Sequence, residues 1–161
     1  MDKHQQAEKR GRDKTTKRFG KRLHIEYTTD QFNRVDANAT GITVSNSGKT
    51  YVIEIKNYDD PENPRPFKKY DDYMLDHDKV ANIKEKAKRE GRIPLVIVYF
   101  YDYTIVWNVS KIDIDSRANW RWVNKDGQDY GEKELAYETY LYESEILWKE
   151  TREETERRLK S

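Results

Sequence analysis

A carboxylate and an ammonium group lie two residues apart inside the apolar segment YVIEIKNY, residues 51–58. The alternation of this segment predicts a strand, on which Glu54 and Lys56 project from the same face, one pleat apart. An unpaired buried charge is costly, so the two groups need partners, either protein groups or a cation. Two interpretations are open: an ion pair on a half-exposed strand, stabilising by ~0.2–1 kcal/mol, or a chemical site.

A second carboxylate is placed to join this pair. Asp36 lies eighteen residues before Glu54, and the segment Asn46-Ser47-Gly48 between them favours a tight turn that joins two antiparallel strands. Pairing through that turn would bring Asp36 close to residues 54–58. Asp30 is the alternative, and we favour Asp36 because Asp30 lies in TTDQF, a segment typical of a turn.

Two carboxylates and a lysine are the groups that phosphodiester hydrolysis needs. Asp36 and Glu54 would hold a hard divalent cation such as Mg²⁺ through oxygen ligands, with the backbone carbonyl of Ile55 as a further candidate ligand. The cation supplies Lewis acidity and lowers the pKa of a bound water. Lys56 would orient that water and stabilise the charge that develops on the phosphate.

The pattern Asp36…Glu54-Ile55-Lys56 resembles the motif of the PD-(D/E)xK nuclease superfamily. Within it, the chain looks most like the small nucleases of phages and mobile elements and the Holliday-junction resolvase group. By that resemblance Asp36 and Glu54 are metal ligands and Lys56 is the catalytic lysine.

The same resemblance implies two further positions. Relatives often add an acidic residue from the first helix and a lysine from the helix after the motif, for which Glu8 and Lys79 are the candidates. Val35 stands where the family name has proline, a position that varies widely within the superfamily.

The rest of the chain predicts the elements that would position these residues. We expect a helix over 5–18, a strand over 22–29, the hairpin strands, a proline-rich loop (DDPENPRP), a helix over 67–90 ended by Gly91, and buried strands over 95–100 and 103–109. NWRWV and LAYETYLY then indicate an edge hairpin around Asp126-Gly127, and ESEILWKETREETERRLKS indicates a closing helix.

This order predicts an α/β fold with a mixed central sheet. It matches the restriction-endonuclease-like α-β-β-β-α-β core over about residues 5–109, followed by a C-terminal β-hairpin and helix appendage. We expect one domain over residues 1–161, with a basic helix or arm at 1–22 and the appendage at 110–161.

The net charge of +1 is unevenly distributed over the 161 residues. Residues 1–22 contain nine basic and three acidic side chains, a net charge of about +6. Such a segment can approach a polyanion, although many only keep a protein soluble. The nucleic-acid-binding residues that we predict are Lys14, Lys17, Arg18 and Lys79.

Aromatic residues are frequent, with 12 tyrosines and 4 tryptophans. Some of them could stack on bases, but packing in the core or on a sheet face is the role that we favour for most. The residues weighed for stacking are Tyr58, Tyr70, Tyr73, Trp120 and Trp122.

Several classes of site are excluded. The chain has no cysteine, and therefore no disulfide, thiolate catalysis or cysteine-ligated metal. The three histidines, His4, His24 and His77, lie far apart without ligand spacing. No apolar run approaches the ~18–20 residues that span a membrane, and the N-terminal segment lacks the apolar region of a secretory signal. We therefore expect a cytoplasmic protein without a membrane partner.

The resemblance implies a hydrolase that cuts DNA with Mg²⁺-activated water and leaves a 5′-phosphate and a 3′-hydroxyl; Mn²⁺ could replace Mg²⁺. RNA stays open as a substrate, as does selectivity for a branched structure. Many members of the superfamily are homodimers, so a homodimer is one candidate state, for which the aromatic C-terminal segment could supply the interface. The alternative function is a catalytically inactive module that binds nucleic acid or protein with the same fold.

Overall fold

The computed structural model describes residues 3–28, 35–67, 73–124 and 133–160. The predicted features at Asp30, Tyr70 and Asp126-Gly127 lie outside these residues. In chain order the elements are α1 (Lys3–Phe19), β1 (Leu23–Tyr27), β2 (Ala37–Gly41), β3 (Thr50–Asn57), β4 (Asp59–Asp60), β5 (Asn63–Pro64), β6 (Tyr73–Asp76), α2 (His77–Glu90), β7 (Ile93–Tyr99), β8 (Tyr103–Asn108), α3 (Ile114–Arg117), β9 (Ala118–Asn124), β10 (Lys133–Leu141), β11 (Ile146–Thr151) and α4 (Arg152–Lys160).

The main sheet, within the described residues, has six strands in the order β1-β2-β3-β7-β8-β11. Strands β3 and β7 run parallel, and the other neighbouring pairs are antiparallel. Strands β6, β10 and β9 form a second sheet, and β4 and β5 form a short ribbon. The predicted α/β class and the mixed central sheet are confirmed. The α-β-β-β-α-β order holds for the two long helices and the main-sheet strands β1, β2, β3 and β7, with the short strands β4, β5 and β6 inserted before α2.

The two long helices cover opposite faces of the main sheet. Phe19 at the end of α1 packs with Ile53 of β3 in one apolar cluster, and Val80 and Ile83 of α2 pack with Val52 in the other. The near-continuous apolar sequences of β7 and β8 are explained by this arrangement, because both faces of these central strands are buried.

The predicted turn at Gly48 and the predicted helix end at Gly91 are found where the sequence indicates them. Gly48 adopts a φ of 83°, in the region that favours glycine, in the turn that joins β2 to β3. Gly91 adopts a φ of 67° and ends α2, with its N–H donating to the carbonyl of Ala87.

The prediction of one helix over residues 67–90 is wrong in its first part. Residues Tyr73–Asp76 form strand β6, which pairs with β10. Tyr73 stacks on Trp107, with ring centroids 5.3 Å apart, so tertiary packing decides the conformation. Asp76 then caps α2 by accepting a hydrogen bond from the backbone N–H of Asp78.

The closing helix is also shorter than predicted. Residues Ile146–Thr151 form the strand β11, which extends the main sheet beside β8. Trp148 packs edge-on against Phe19 at a centroid distance of 5.6 Å, while Leu147, which points the other way, is 60 % exposed. This period of two is that of a strand with one buried face.

Helix α4 comes directly after β11 and packs against the end of α1. The Nη1 atom of Arg158 donates a 2.8 Å hydrogen bond to the carbonyl oxygen of Arg18. Its Nε atom donates to the buried carboxylate of Glu150 at 2.9 Å. Of the helices in the described part of the chain, none combines the length and apolar character that a membrane crossing needs.

Candidate active site

Strand β3 carries its charged side chains on the face that α2 covers. Val52, on this face, belongs to the cluster under α2, whereas Ile55 packs on the opposite face under α1. Glu54 is only 5 % exposed, and Lys56 is half-buried. The Nζ atom of Lys79, on α2, lies 3.8 Å from Oε1 of Glu54. The ammonium group of Lys79 is therefore a third charge next to those of Glu54 and Lys56.

The β2–β3 hairpin brings Asp36 to the same place. The backbone N–H of Asp36 donates to the carbonyl of Ile53 at 3.1 Å. Its Oδ2 atom accepts a 2.7 Å hydrogen bond from the backbone N–H of Ile55. Because alternate residues of a strand direct their backbone groups toward the same neighbour, the carbonyl oxygen of Ile55 also faces the side of Asp36.

The charges in this cluster strongly perturb one another. Burial, and then the carboxylate of Asp36, raises the pKa of Glu54 from 4.5 to about 8. Burial, and then the positive charge of Lys79, lowers the pKa of Lys56 from 10.5 to about 8. For Lys79 burial opposes the charged form, but contacts with Lys56, Glu54 and Asp36 outweigh it and raise its pKa. Two carboxylates held this close in a buried site favour an additional cation.

Two adjoining hollows, of about 480 and 170 Å³, open over the cluster. Both are lined by Glu8, Asp36, Glu54 and Lys79. The larger one is also lined by Val35, Asp78 and Asn82, and the smaller one by Ala7, Gly11, Arg12, Ile55, Lys56, Asn57 and Tyr58. The proposed ligands thus lie in a cleft that a substrate can enter.

Glu8 reaches this cleft because α1 lies close to β3. At Gly11, three residues after Glu8, a Cβ atom would be only 3.1 Å from Cγ2 of Ile55. The absence of a side chain at Gly11 therefore permits the close approach of helix and strand.

The predicted cations of α1 differ in their surroundings. The Nζ atom of Lys14 donates to Oδ1 of Asn57 at 2.9 Å and to Oδ2 of Asp59 at 3.0 Å. Arg18 donates to Oγ1 of Thr104, and its guanidinium carbon lies 5.0 Å from the ring centroid of Tyr99. Lys17 is exposed.

The structure brings together six of the predicted site residues and leaves three elsewhere on α1. Asp36, Glu54, Ile55, Lys56, Lys79 and Glu8 line the cleft, whereas Lys14, Lys17 and Arg18 do not. The sequence interpretation weighed Tyr58 only for stacking on bases and did not assign Asn82 to the site. Strand alternation could have found Tyr58, two residues after Lys56, and helical spacing could have found Asn82, three residues after Lys79.

The donor set of the cleft fits a magnesium ion. Among the described residues, no group of three or more His, Asp or Glu side chains is arranged to hold a metal. Mg²⁺, however, is often held by one or two carboxylates and completes its coordination with waters and substrate phosphates. Asp36 and Glu54 supply the two carboxylates, and Ile55 supplies a carbonyl oxygen. Mn²⁺ accepts the same kinds of oxygen ligand.

The structure is similar to that of Hjc, a Holliday junction resolvase from the archaeal hyperthermophile Archaeoglobus fulgidus, with a TM-score of 0.46 and 16 % sequence identity. The matched region covers 83 % of this chain and 88 % of that chain. No protein-family model matches the sequence, and no curated protein matches it either. At this identity the residues of the cleft have to be interpreted from their own geometry.

Proposed function

We propose that this protein is a metal-dependent nuclease of the PD-(D/E)xK type that hydrolyses the phosphodiester bonds of DNA. The observation that carries the proposal is the buried carboxylate of Glu54, 5 % exposed, next to the carboxylate of Asp36 and the ammonium groups of Lys56 and Lys79. An ion pair on a half-exposed strand would not need a second carboxylate whose charge opposes ionisation of the first.

Asp36, Glu54 and the carbonyl of Ile55 are the groups that would hold the cation. When bound, Mg²⁺ or Mn²⁺ supplies Lewis acidity and a water of lowered pKa. The hydrogen bond from the N–H of Ile55 to Oδ2 of Asp36 fixes the orientation of that carboxylate. Glu8 faces the same cleft from α1 and is the accessory acid.

Lys56 is the residue that would act on the water and on the phosphate. Its pKa is lowered by burial to about 8, so Nζ can hold or release a proton near neutral pH. In its charged form Nζ would donate hydrogen bonds to the phosphate oxygens as negative charge increases there. Lys79 would balance the charge of Glu54 in the absence of substrate and contact phosphate in its presence.

The substrate backbone needs further cations. We propose Lys79 in the cleft and Lys17 on the exposed side of α1 as the first contacts. Lys14 and Arg18 already have protein partners, so a phosphate would have to share them.

The exposed side chains of Trp120 and Trp122, at 62 and 63 %, would supply the interface of a homodimer.

The test is cleavage of labelled nucleic acids in Mg²⁺ and Mn²⁺. The panel contains a four-way junction, a linear duplex, a nicked duplex, a flap, single-stranded DNA and RNA. Lys56→Met removes the ammonium group and retains the apolar stem; Lys49→Met makes the same change at an exposed lysine of the hairpin turn. We expect metal-dependent cleavage that Lys56→Met reduces by about 100-fold or more and that Lys49→Met leaves unchanged.

The alternative function gives a different result. A catalytically inactive binding module would bind members of the panel in gel shifts and cut none of them with either metal. If wild type and Lys56→Met bind equally and neither cuts, Glu54 and Lys56 form an ion pair that has no catalytic role.

A further inference from the structure

Tyr58 is the next side chain after Glu54 and Lys56 on the same face of β3. Its backbone N–H donates to the carbonyl of Tyr99 at 2.8 Å, so the pairing with β7 continues past the end of β3. Side chains of alternate residues are spaced ~6.6 Å apart along a strand. Tyr58 lines the smaller hollow together with Lys56 and Asp36.

The ring of Tyr58 is held by its neighbours. Phe100 stacks on it with centroids 5.8 Å apart and an interplanar angle of 30°. The guanidinium carbon of Arg65 lies 5.5 Å from the ring centroid, and Tyr73 contacts the ring edge-on at 6.0 Å. With these neighbours the ring is fixed in place rather than free to stack on a base, and the hydroxyl is the one polar group that the side chain can offer in the hollow it lines.

The hydroxyl oxygen of Tyr58 accepts a hydrogen bond from another tyrosine. Tyr73 donates its O–H to the Tyr58 oxygen at 3.2 Å. Burial raises the pKa of Tyr73 well above its usual value, so Tyr73 keeps the proton of this hydrogen bond. A tyrosine hydroxyl has a single hydrogen. That of Tyr58 has no acceptor within the part of the chain that the structure describes.

We propose that Tyr58 forms a phosphate-binding subsite, in which its hydroxyl donates a hydrogen bond to the phosphodiester adjacent to the one that is cut. This rests on the proposed nuclease function, because Lys56 and Glu54 define where the cut phosphate lies. The step of one pleat from Lys56 to Tyr58 suits the next phosphate of the same strand.

Tyr58→Phe tests the subsite, because it removes the hydroxyl and keeps the ring between Phe100 and Arg65. Tyr101→Phe is the matched control: Tyr101 is 47 % exposed and its ring contacts Arg152 rather than the cleft. Affinity is measured by fluorescence anisotropy with a labelled DNA duplex and a labelled four-way junction, in an Asp36→Asn background that we expect not to cut. The kinetic constants are measured in the otherwise wild-type protein.

A hydrogen bond to a charged oxygen predicts a rise in Kd of about tenfold for Tyr58→Phe and none for Tyr101→Phe. In cleavage, KM should rise by a similar factor while kcat stays within about twofold, because the contact is the same in substrate and transition state. The slope of log K against log salt should not change, because a neutral donor releases no counterion. The melting temperature should stay the same.

An unchanged Kd and KM in Tyr58→Phe would overturn the subsite and leave the nuclease proposal intact. A wild-type protein that binds DNA without cutting it, yet loses affinity in Tyr58→Phe, would overturn the nuclease and retain a phosphate contact at Tyr58. A wild-type protein that binds none of the nucleic acids would overturn both.

Discussion

The carboxylate of Asp36 is bound to the backbone of the very motif it accompanies: its Oδ2 atom lies 2.7 Å from the N–H of Ile55, the residue between Glu54 and Lys56. This contact fixes the Asp36 carboxylate on the main chain of β3, the strand from which Glu54 also projects. Asp36 thus has two roles, as a negative charge and as the hydrogen-bond acceptor of the Ile55 N–H. Substitutions can distinguish the two.

Asp36→Asn removes the charge and keeps an oxygen that can accept from the N–H of Ile55. We expect a free energy of unfolding equal to or above that of the wild type, and cleavage reduced by about 100-fold or more because a proposed metal ligand is lost. Asp36→Ala also leaves the N–H of Ile55 without its partner and should lower the free energy of unfolding by about 1–3 kcal/mol. Urea unfolding measures the free energy of unfolding, and Mg²⁺ calorimetry measures the loss of metal binding that underlies the loss of cleavage. Undiminished Mg²⁺ binding in both variants would rule Asp36 out as a ligand.

Glu54→Gln should change how stability depends on pH. The folded-state pKa of Glu54, about 8, lies above the usual 4.5. The stability linked to its proton is therefore fully present below pH 4.5 and is lost as the pH rises toward 8, at up to about 1.4 kcal/mol per pH unit. Glutamine has no such proton. In EDTA, the stability of wild type relative to Glu54→Gln should fall from pH 5 to pH 8 in urea unfolding.

Addition of Mg²⁺ provides the control for this pH effect. A bound cation stabilises the ionised carboxylate, so the wild type should regain stability at pH 8, whereas Glu54→Gln should not. Parallel pH profiles of the two proteins in EDTA would show that Glu54 ionises normally and that its burial has no electrostatic consequence.

Gly11→Leu should separate α1 from β3. A Cβ at this position is already 3.1 Å from Ile55, so a larger side chain should lower the free energy of unfolding by about 1–3 kcal/mol through overpacking. It should also reduce cleavage, because it displaces Glu8 from the cleft. Asp13→Leu places the same side chain on the exposed side of α1 and should have neither effect. Wild-type cleavage by Gly11→Leu would exclude a role for the position of Glu8.

Arg158→Met should lower the free energy of unfolding more at neutral pH than in acid. Burial tends to raise the pKa of Glu150, but hydrogen bonds from Arg158 and Thr155 lower it overall. The stability from this pair is therefore present above about pH 4.5 and is lost as the pH falls through the lowered folded-state pKa. We expect a loss of about 1.5–3 kcal/mol at pH 7 that shrinks toward pH 3 in urea unfolding. A loss of the same size at both pH values would assign the effect to packing.

The local parts of the site could be predicted from sequence. The turn at Gly48 and the period of two in β3 are encoded by neighbouring residues, and together they place Asp36 beside Glu54 and Lys56. The lysine at position 79 was predicted by resemblance, but its 3.8 Å contact with Glu54 depends on how α2 crosses the sheet. Local sequence does not encode that crossing.

The two errors in secondary structure have a common cause. Strands β6 and β11 lie directly before helices, and the prediction extended each helix over the preceding strand. Each becomes a strand because a partner strand offers it pairing, β10 for β6 and β8 for β11. Two cap residues mark the boundaries: Asp76 accepts from the N–H of Asp78, and Thr151 accepts from that of Glu154. These caps are visible in the sequence and would have corrected both boundaries.

The hydrogen bond from Arg158 to the carbonyl of Arg18 has a consequence for cooperativity. The last carbonyls of a helix have no hydrogen-bond partner within that helix. Here the carbonyl of Arg18, near the end of α1, accepts a hydrogen bond from Arg158 of α4. The positive charge of Arg158 also interacts favourably with the negative end of the α1 helix dipole. The helix that carries Glu8 is thus secured from the opposite end of the chain. Unfolding of α4 would therefore remove one of the contacts that hold α1, so the helix that carries Glu8 is stabilised in part by a residue 140 positions away from Arg18 in the chain.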